Sequence, residues 1–368
     1  MKKILIFTAG FGEGHNTAAR SLCAAIQHIE GDSGAQARVI DLFAESYGRL
    51  NDFSRKAYIG MINRTPKIWQ WVYQWLDRST GLESNLGMLA KAQRRLEQIL
   101  DEEKPDVVVS CYPVYNYLFN KIYSGGKQRN FSQVTVVTDS ITINSVWYRG
   151  GSDYFIVPNE DTAAVMRERK VDAAKIKAHG FPVTHVFSTE AAARPAPSPG
   201  NCRVLFMINS GKAEAPQVVK RLLELPGIQL TVTVGRDAAL QAAVEKVIAA
   251  SGRTAEIHGW TNQLPHLLMK NHVLISKAGG ATVQETIAAR TPMLIMQVVP
   301  GQEEGNAQLL LGHGCGALTE TTDAIVRAVD DAFANGAKLW AEWERNITQL
   351  SKPDAALAVA RFVLELKR

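Results

Sequence analysis

Lys3-Ile4-Leu5-Ile6-Phe7-Thr8, then Ala9-Gly10-Phe11-Gly12-Glu13-Gly14-His15, then a run opening at Asn16 and Thr17, begin the chain. An apolar, β-prone run that passes through a glycine turn into a helix over 17–29 reads as the first half of a strand-crossover-strand unit. The glycines allow a sharp turn and leave backbone N–H groups at a helix start, a platform for an anion or another ligand. A dinucleotide fingerprint would need its third glycine where His15 stands. A nicotinamide cofactor therefore fits poorly, even though Asp41 mimics the ribose-binding acid.

Working outward, the same rhythm continues. Strands are expected at 38–41, 106–111, 133–138 and 154–157, and the near-continuous apolar runs Val107-Val108-Val109 and Val134-Thr135-Val136-Val137 suit strands covered on both faces. Residues 188–201, Ser-Thr-Glu-Ala-Ala-Ala-Arg-Pro-Ala-Pro-Ser-Pro-Gly-Asn, carry no hydrophobic periodicity and read as an interdomain linker. The alternation restarts with strands at 203–208, 229–234, 255–258, 273–276 and 293–298. The fold expected is α/β, with two Rossmann-like parallel-sheet domains, 1–187 and 202–350, facing across a cleft at the carboxyl ends of their strands. The last segment, 351–368, is expected to carry a helix, about 354–367, that crosses back to the first domain.

The chain has 368 residues, 46% hydrophobic and 21% charged, which suits two globular domains and excludes wholesale disorder. Cys23, Cys111, Cys202 and Cys315 lie far apart without a CxxC pair, so they read as buried thiols in a reducing cytoplasm and not as a zinc set. No apolar run approaches the roughly 18 to 20 residues that span a bilayer, and the start does not read as a signal peptide. A net charge of +5 suits an anionic lipid surface or a nucleotide substrate and does not by itself select nucleic acid, which is not expected as a partner. A cytoplasmic protein, peripheral on the inner face of the cell membrane, is the expectation.

Three loops carry chemistry. His15 ends a Gly-x-Gly-His turn, and an imidazole titrating near neutrality serves as a general base. An isolated histidine would instead be read as a helix cap or a solvated side chain. Ile275-Ser276-Lys277-Ala278-Gly279-Gly280-Ala281-Thr282 runs from strand to helix and can hold a diphosphate on free N–H groups, with Glu285 one turn further for a ribose diol. The plainer alternative is an ordinary turn with a solvated glutamate. Pro300-Gly301-Gln302-Glu303-Glu304-Gly305-Asn306 offers carboxylates and amides to sugar hydroxyls, or simply compensates a helix start.

Between Asn51 and Arg78, Phe53, Tyr58, Trp69, Trp71, Tyr73 and Trp75 mix with Arg55, Lys56, Arg64, Lys67 and Arg78. Such mixing favours a membrane interface, with rings at headgroup depth and cations on anionic lipid. A helix packed on its own domain through Ile68, Val72 and Trp75 or Leu76 is the alternative. Trp69, Trp71 and Tyr73 cannot all share that stripe, because residues two apart point to different sides of a helix.

Together these motifs resemble the monogalactosyldiacylglycerol synthase and processive diacylglycerol glucosyltransferase family, glycosyltransferase family 28 with the GT-B fold. The resemblance covers nearly the whole chain and rests on Gly12-Glu13-Gly14-His15-Asn16-Thr17, Val137-Thr138-Asp139, Gly180-Phe181-Pro182-Val183, Lys277-Ala278-Gly279-Gly280-Ala281-Thr282 and Pro300–Asn306. It implies an inverting transfer from UDP-glucose or UDP-galactose to a membrane lipid such as 1,2-diacylglycerol, with no cofactor beyond the UDP-sugar and no metal site. It implies that His15 or Asp139 takes the acceptor proton, and that Gly12, Gly14 and Trp147 lie at the acceptor. Donor contacts are implied for Lys277, Gly279, Gly280, Thr282, Glu285, Gln302, Glu303 and Asn306, for Trp260 beside the uracil, and for Ser210, Gly211 and Lys212 at the phosphates. The last three read equally well as a flexible surface loop. The plant-type enzymes carry a His-Pro pair where this chain has Ile143-Asn144-Ser145-Val146-Trp147, so acceptor detail differs. Two alternatives share the fold: a UDP-N-acetylglucosamine 2-epimerase, and a nucleotide-sugar-binding protein without turnover. The sequence fixes no oligomeric state.

Overall fold

The computed structural model describes residues 1–10, 12–31, 34–48, 86–190, 194–301 and 303–367. Among these the chain divides into two compact units, Met1–His185 with Val299–Gly305 and Asp354–Arg368, and Val186–Val298 with Asn306–Pro353.

The first unit contains a six-stranded sheet of β1 (Lys3–Thr8), β2 (Gln36–Asp41), β3 (Val107–Ser110), β4 (Ser132–Val136), β5 (Tyr154–Ile156) and β6 (Ile176–Lys177), in the order β2-β1-β3-β4-β5-β6. Every pairing is parallel. The apolar runs of β1, β3 and β4 are buried, as strands covered by helices on both faces must be. Phe7, Leu96, Val108, Tyr115 and Phe119 form one core, and Val137, Trp147, Phe155 and Met166 another.

The second unit repeats the plan with β7 (Cys202–Met207), β8 (Ile228–Gly235), β9 (Ala255–Gly259), β10 (Val273–Lys277), β11 (Met293–Gln297) and β12 (Gly316–Leu318), in the order β12-β11-β10-β7-β8-β9. Its pairings are parallel too, and its core gathers Phe206, Val232, Ile275, Leu294, Trp340 and Trp343.

The first helix, expected from Thr17, begins at Glu13, so Gly14 and His15 sit in its first turn. The strand expected over 133–138 ends at Val136, and Thr138 and Asp139 have already left the sheet. The last helix, Ala355–Glu365, belongs to the first unit and packs on the helix Glu13–Glu30. The Lys2 ammonium donates to the Leu364 carbonyl at 2.6 Å and also to that of Leu366, holding the helix end. The stretch read as a linker is fastened to the second unit from Arg194 onward. Arg194 Nη1 donates to Asn271 O at 2.7 Å and Thr291 Oγ1 at 2.8 Å, and Nη2 to Arg290 O at 2.7 Å. A guanidinium satisfies helix-terminal carbonyls that would otherwise lack donors.

Candidate functional site

In the first unit the chemistry gathers beyond the ends of β1, β3 and β4. Gly12 caps the helix Glu13–Glu30 without a side-chain bond, and His15, half-buried, lies at the third helical position. Its Nδ1 shares a 3.0 Å hydrogen bond with Thr138 Oγ1. The imidazole meets Tyr112 edge-on at 5.1 Å between centroids and Trp147 at 5.9 Å. The loop below is fixed by its own polar contacts. Thr8 Oγ1 donates to Asn16 Oδ1 at 3.0 Å, and Asp41 accepts from the Gly10 N–H at 3.0 Å and the Ala44 N–H at 2.9 Å. Asp41, which mimics a ribose-binding acid in sequence, thus fastens the glycine turn and caps a helix.

Asp139 follows Thr138 directly, yet its carboxylate is held elsewhere: Trp147 Nε1 donates to Asp139 Oδ2 at 2.8 Å. Trp147 is 1% exposed, so it acts here as a buried support for that carboxylate. Burial pushes the Asp139 carboxyl up to about 6, against the lowering pull of the Trp147 N–H. Burial also depresses the His15 imidazole to about 4, the Cys111 carbonyl pulling the other way. Near neutral pH the region therefore presents a neutral imidazole and an ionised carboxylate, two proton acceptors each with its own donor or partner.

Glu303, within Val299–Gly305 of the same unit, is 5% exposed, and its Oε2 accepts from the Val299 N–H at 3.1 Å. One oxygen of this proposed sugar-holding group therefore closes its own loop. A side chain at Gly305 would collide with Ser140 and Thr142, so only glycine lets this loop lie against the stretch that follows Asp139. Gln302 lies outside the described residues, as do Trp69, Trp71, Tyr73 and Trp75.

In the second unit the turn after β10 leads into the helix Gly280–Ala288, with Gly279 as its N-cap and no side chain capping it. An uncapped start leaves N–H groups and the positive helix end for an anion. Lys277, Thr282 and Glu285 are half-buried along this turn and helix. Asn306 Nδ2 donates to Ala278 O at 3.3 Å, while Asn306 Oδ1 and Ser210 Oγ are buried with no hydrogen-bond partner among the described residues. Such atoms are uncommon in folded proteins. Gly211 takes φ +59°, and Lys212 Nζ is paired with Asp237 Oδ2 at 2.7 Å. Trp260 is 65% exposed beyond β9, with the Arg236 guanidinium 4.9 Å from its ring centroid. Thr138, Tyr112 and Arg236 are partners whose roles only the structure reveals. Only Thr138, inside Val137-Thr138-Asp139, stood in a motif that could have pointed to it.

A family model described as monogalactosyldiacylglycerol (MGDG) synthase matches residues 15–183. A processive diacylglycerol beta-glucosyltransferase of Bacillus cytotoxicus is 23% identical over 372 residues, covering 99% of this chain and 93% of the relative. Among solved structures, MurG of Acinetobacter baumannii superposes with a TM-score of 0.64 at 14% identity, covering 100% of both chains. The UDP-GlcNAc 2-epimerase of Neisseria meningitidis, bound to UDP-GlcNAc, superposes with a TM-score of 0.61 at 10% identity, also over 100% of both chains. The structural likenesses establish the fold. With its two parallel sheets, its Gly-x-Gly-His helix start and these relatives, the chain is a glycosyltransferase of the GT-B fold, similar over residues 15–183 to the monogalactosyldiacylglycerol synthases and over nearly its whole length to a processive diacylglycerol glucosyltransferase.

Proposed function

We propose that this protein transfers a hexose from a UDP-sugar, UDP-glucose or UDP-galactose, to 1,2-diacylglycerol with inversion at the anomeric carbon. The observation that carries this reading is the pair His15 and Asp139, held apart on separate partners at one end of the first sheet. Either can take the proton of the acceptor hydroxyl while its oxygen bonds to the anomeric carbon and the bond to the diphosphate breaks, its electron pair leaving with UDP. In the second unit, the N–H groups at Gly280–Thr282 meet the charge that develops on the leaving diphosphate. Ser210 Oγ and Asn306 Oδ1 supply further polar contacts, and the open indole of Trp260 offers a stacking face to the base. The lipid acceptor places the protein at an anionic membrane surface, on its cytoplasmic face. Among the described residues no helix is long and apolar enough to cross a bilayer.

The test is to incubate the protein with diacylglycerol vesicles and a panel of UDP-hexoses, then weigh the lipid products and assign the anomeric configuration by NMR. A hexosyl-diacylglycerol of inverted configuration, lost in His15→Ala and Asp139→Asn while UDP still binds, is the expected result. A C2-epimerised UDP-sugar with no net release of UDP and no new lipid would overturn the reading in favour of an epimerase.

A further inference from the structure

The two proton acceptors of the first unit are neighbours in space but do not bond each other. Because β4 stops at Val136, the adjacent residues Thr138 and Asp139 lie beyond the sheet, where they serve different partners. The Asp139 carboxylate is taken by the indole N–H of Trp147 at 2.8 Å. The place at His15 Nδ1 that a carboxylate would otherwise fill is occupied by the Thr138 hydroxyl at 3.0 Å. Thr138 is 3% exposed, so bulk water does not compete for that bond.

We infer that Thr138 is a positioning residue for the proposed transfer: its Oγ1 accepts the Nδ1–H of His15, holds the ring in place, and leaves the Nε2 lone pair for the acceptor proton. The inference rests on the reading of His15 given above and adds the residue that makes the histidine usable. Free imidazole tautomers differ little in energy, and a hydroxyl can donate as well as accept, so the acceptor role assigned to Thr138 Oγ1 is what the labelling experiment reads. A hydroxyl does this without adding charge. A carboxylate at Nδ1 would favour the protonated ring, which accepts nothing. Burial depresses the proton affinity of the ring, and a neutral partner does nothing to reverse that. Tyr112 and Trp147, packed edge-on and tilted against the same ring, limit its other rotations.

The full chain, labelled with ¹⁵N-histidine, tests this without turnover. Long-range nitrogen-proton correlations should report His15 as the Nδ1–H tautomer in the wild type, and Thr138→Val should move at least about half of it to Nε2–H. An Nε2–H tautomer in the wild type, or no change in Thr138→Val, overturns the inference. The kinetic arm asks whether Thr138 acts through His15. Loss of the hydroxyl in Thr138→Val should lower kcat about 10- to 100-fold with KM within about twofold, and Thr138→Ser should recover most of it. In a His15→Gln background the same Thr138→Val change should cost less than about twofold, because a pair that works as a unit is not additive. An equal loss in both backgrounds assigns Thr138 a merely structural part and sinks the proposal. Should Thr138→Val not fold, Thr138→Ala is read in its place by the same two measurements. Full activity in His15→Gln would instead overturn the reading of His15 itself, whatever tautomer the spectra report.

Discussion

At Asp139, burial and a single hydrogen bond pull in opposite directions. Burial raises its carboxyl to about 6, and the Trp147 N–H favours the charged form. If the ionised carboxylate serves the reaction, activity falls as pH drops through about 6. Trp147→Phe removes the donor, so the acid limb of kcat/KM against pH should move upward; a limb that stays or moves down counts against the assignment. The same shift has a sign for stability. A carboxyl whose folded value exceeds its unfolded value of 3.8 binds protons more tightly when folded, so its contribution is fully present at low pH and declines as pH rises from about 4 to 6. Asp139→Asn should therefore leave the protein as stable at pH 7.5 or more so, by up to about 3 kcal/mol at roughly 1.4 kcal/mol per pH unit, while abolishing transfer. Thermal melts of the two proteins decide it. At this scale His15 and Asp139 were legible because each stands in a motif. Thr138's service to His15 was not, because it depends on where β4 stops, and strand ends are not written in a run such as Val134–Val137.

Among elements, the helix Gly280–Ala288 starts at Gly279 with no side-chain cap. If UDP's diphosphate binds there, UDP at about a hundred times its Kd should stabilise the protein by about 2.7 kcal/mol, and amide exchange should slow at Gly280–Thr282. Protection confined to the first unit would place the nucleotide elsewhere. The same N–H groups can carry the leaving charge unaided, so transfer should persist in excess chelator; complete, magnesium-reversible loss would contradict that. The long apolar strands and both glycine turns could be read from sequence, since burial on two faces leaves a continuous run of Val, Ile and Leu. The edge strands β6 and β12, two and three residues long, could not, having no room for a period. Nor could the ion pair of Lys212 with Asp237, which joins loops after different strands.

For the molecule as a whole, acid should act through His272. Its Nδ1 accepts the Arg203 N–H at 3.0 Å, its Nε2 bonds Pro195 O at 2.9 Å, and it is fully buried. Burial, with Arg194 and Arg203 nearby, depresses it to about 4 against the Pro195 carbonyl. The unfolded ring takes a proton below about 6.5, so the folded protein is fully favoured above that pH and loses about 3 kcal/mol as pH falls toward 4. Urea midpoints measured from pH 7.5 to 4.5 should show the gap between wild type and His272→Gln closing with acid. A constant gap refutes the role. The alternation of strands and helices gave away the two-unit plan, whereas the anchoring of Arg194 and Pro195 was hidden in a stretch whose composition reads as loose. The return of the helix Ala355–Glu365 has a temporal consequence. On the ribosome, the flank of the Glu13–Glu30 helix stays open while every strand of the second unit is made, so the nascent first unit is the part of this protein with most call on a chaperone.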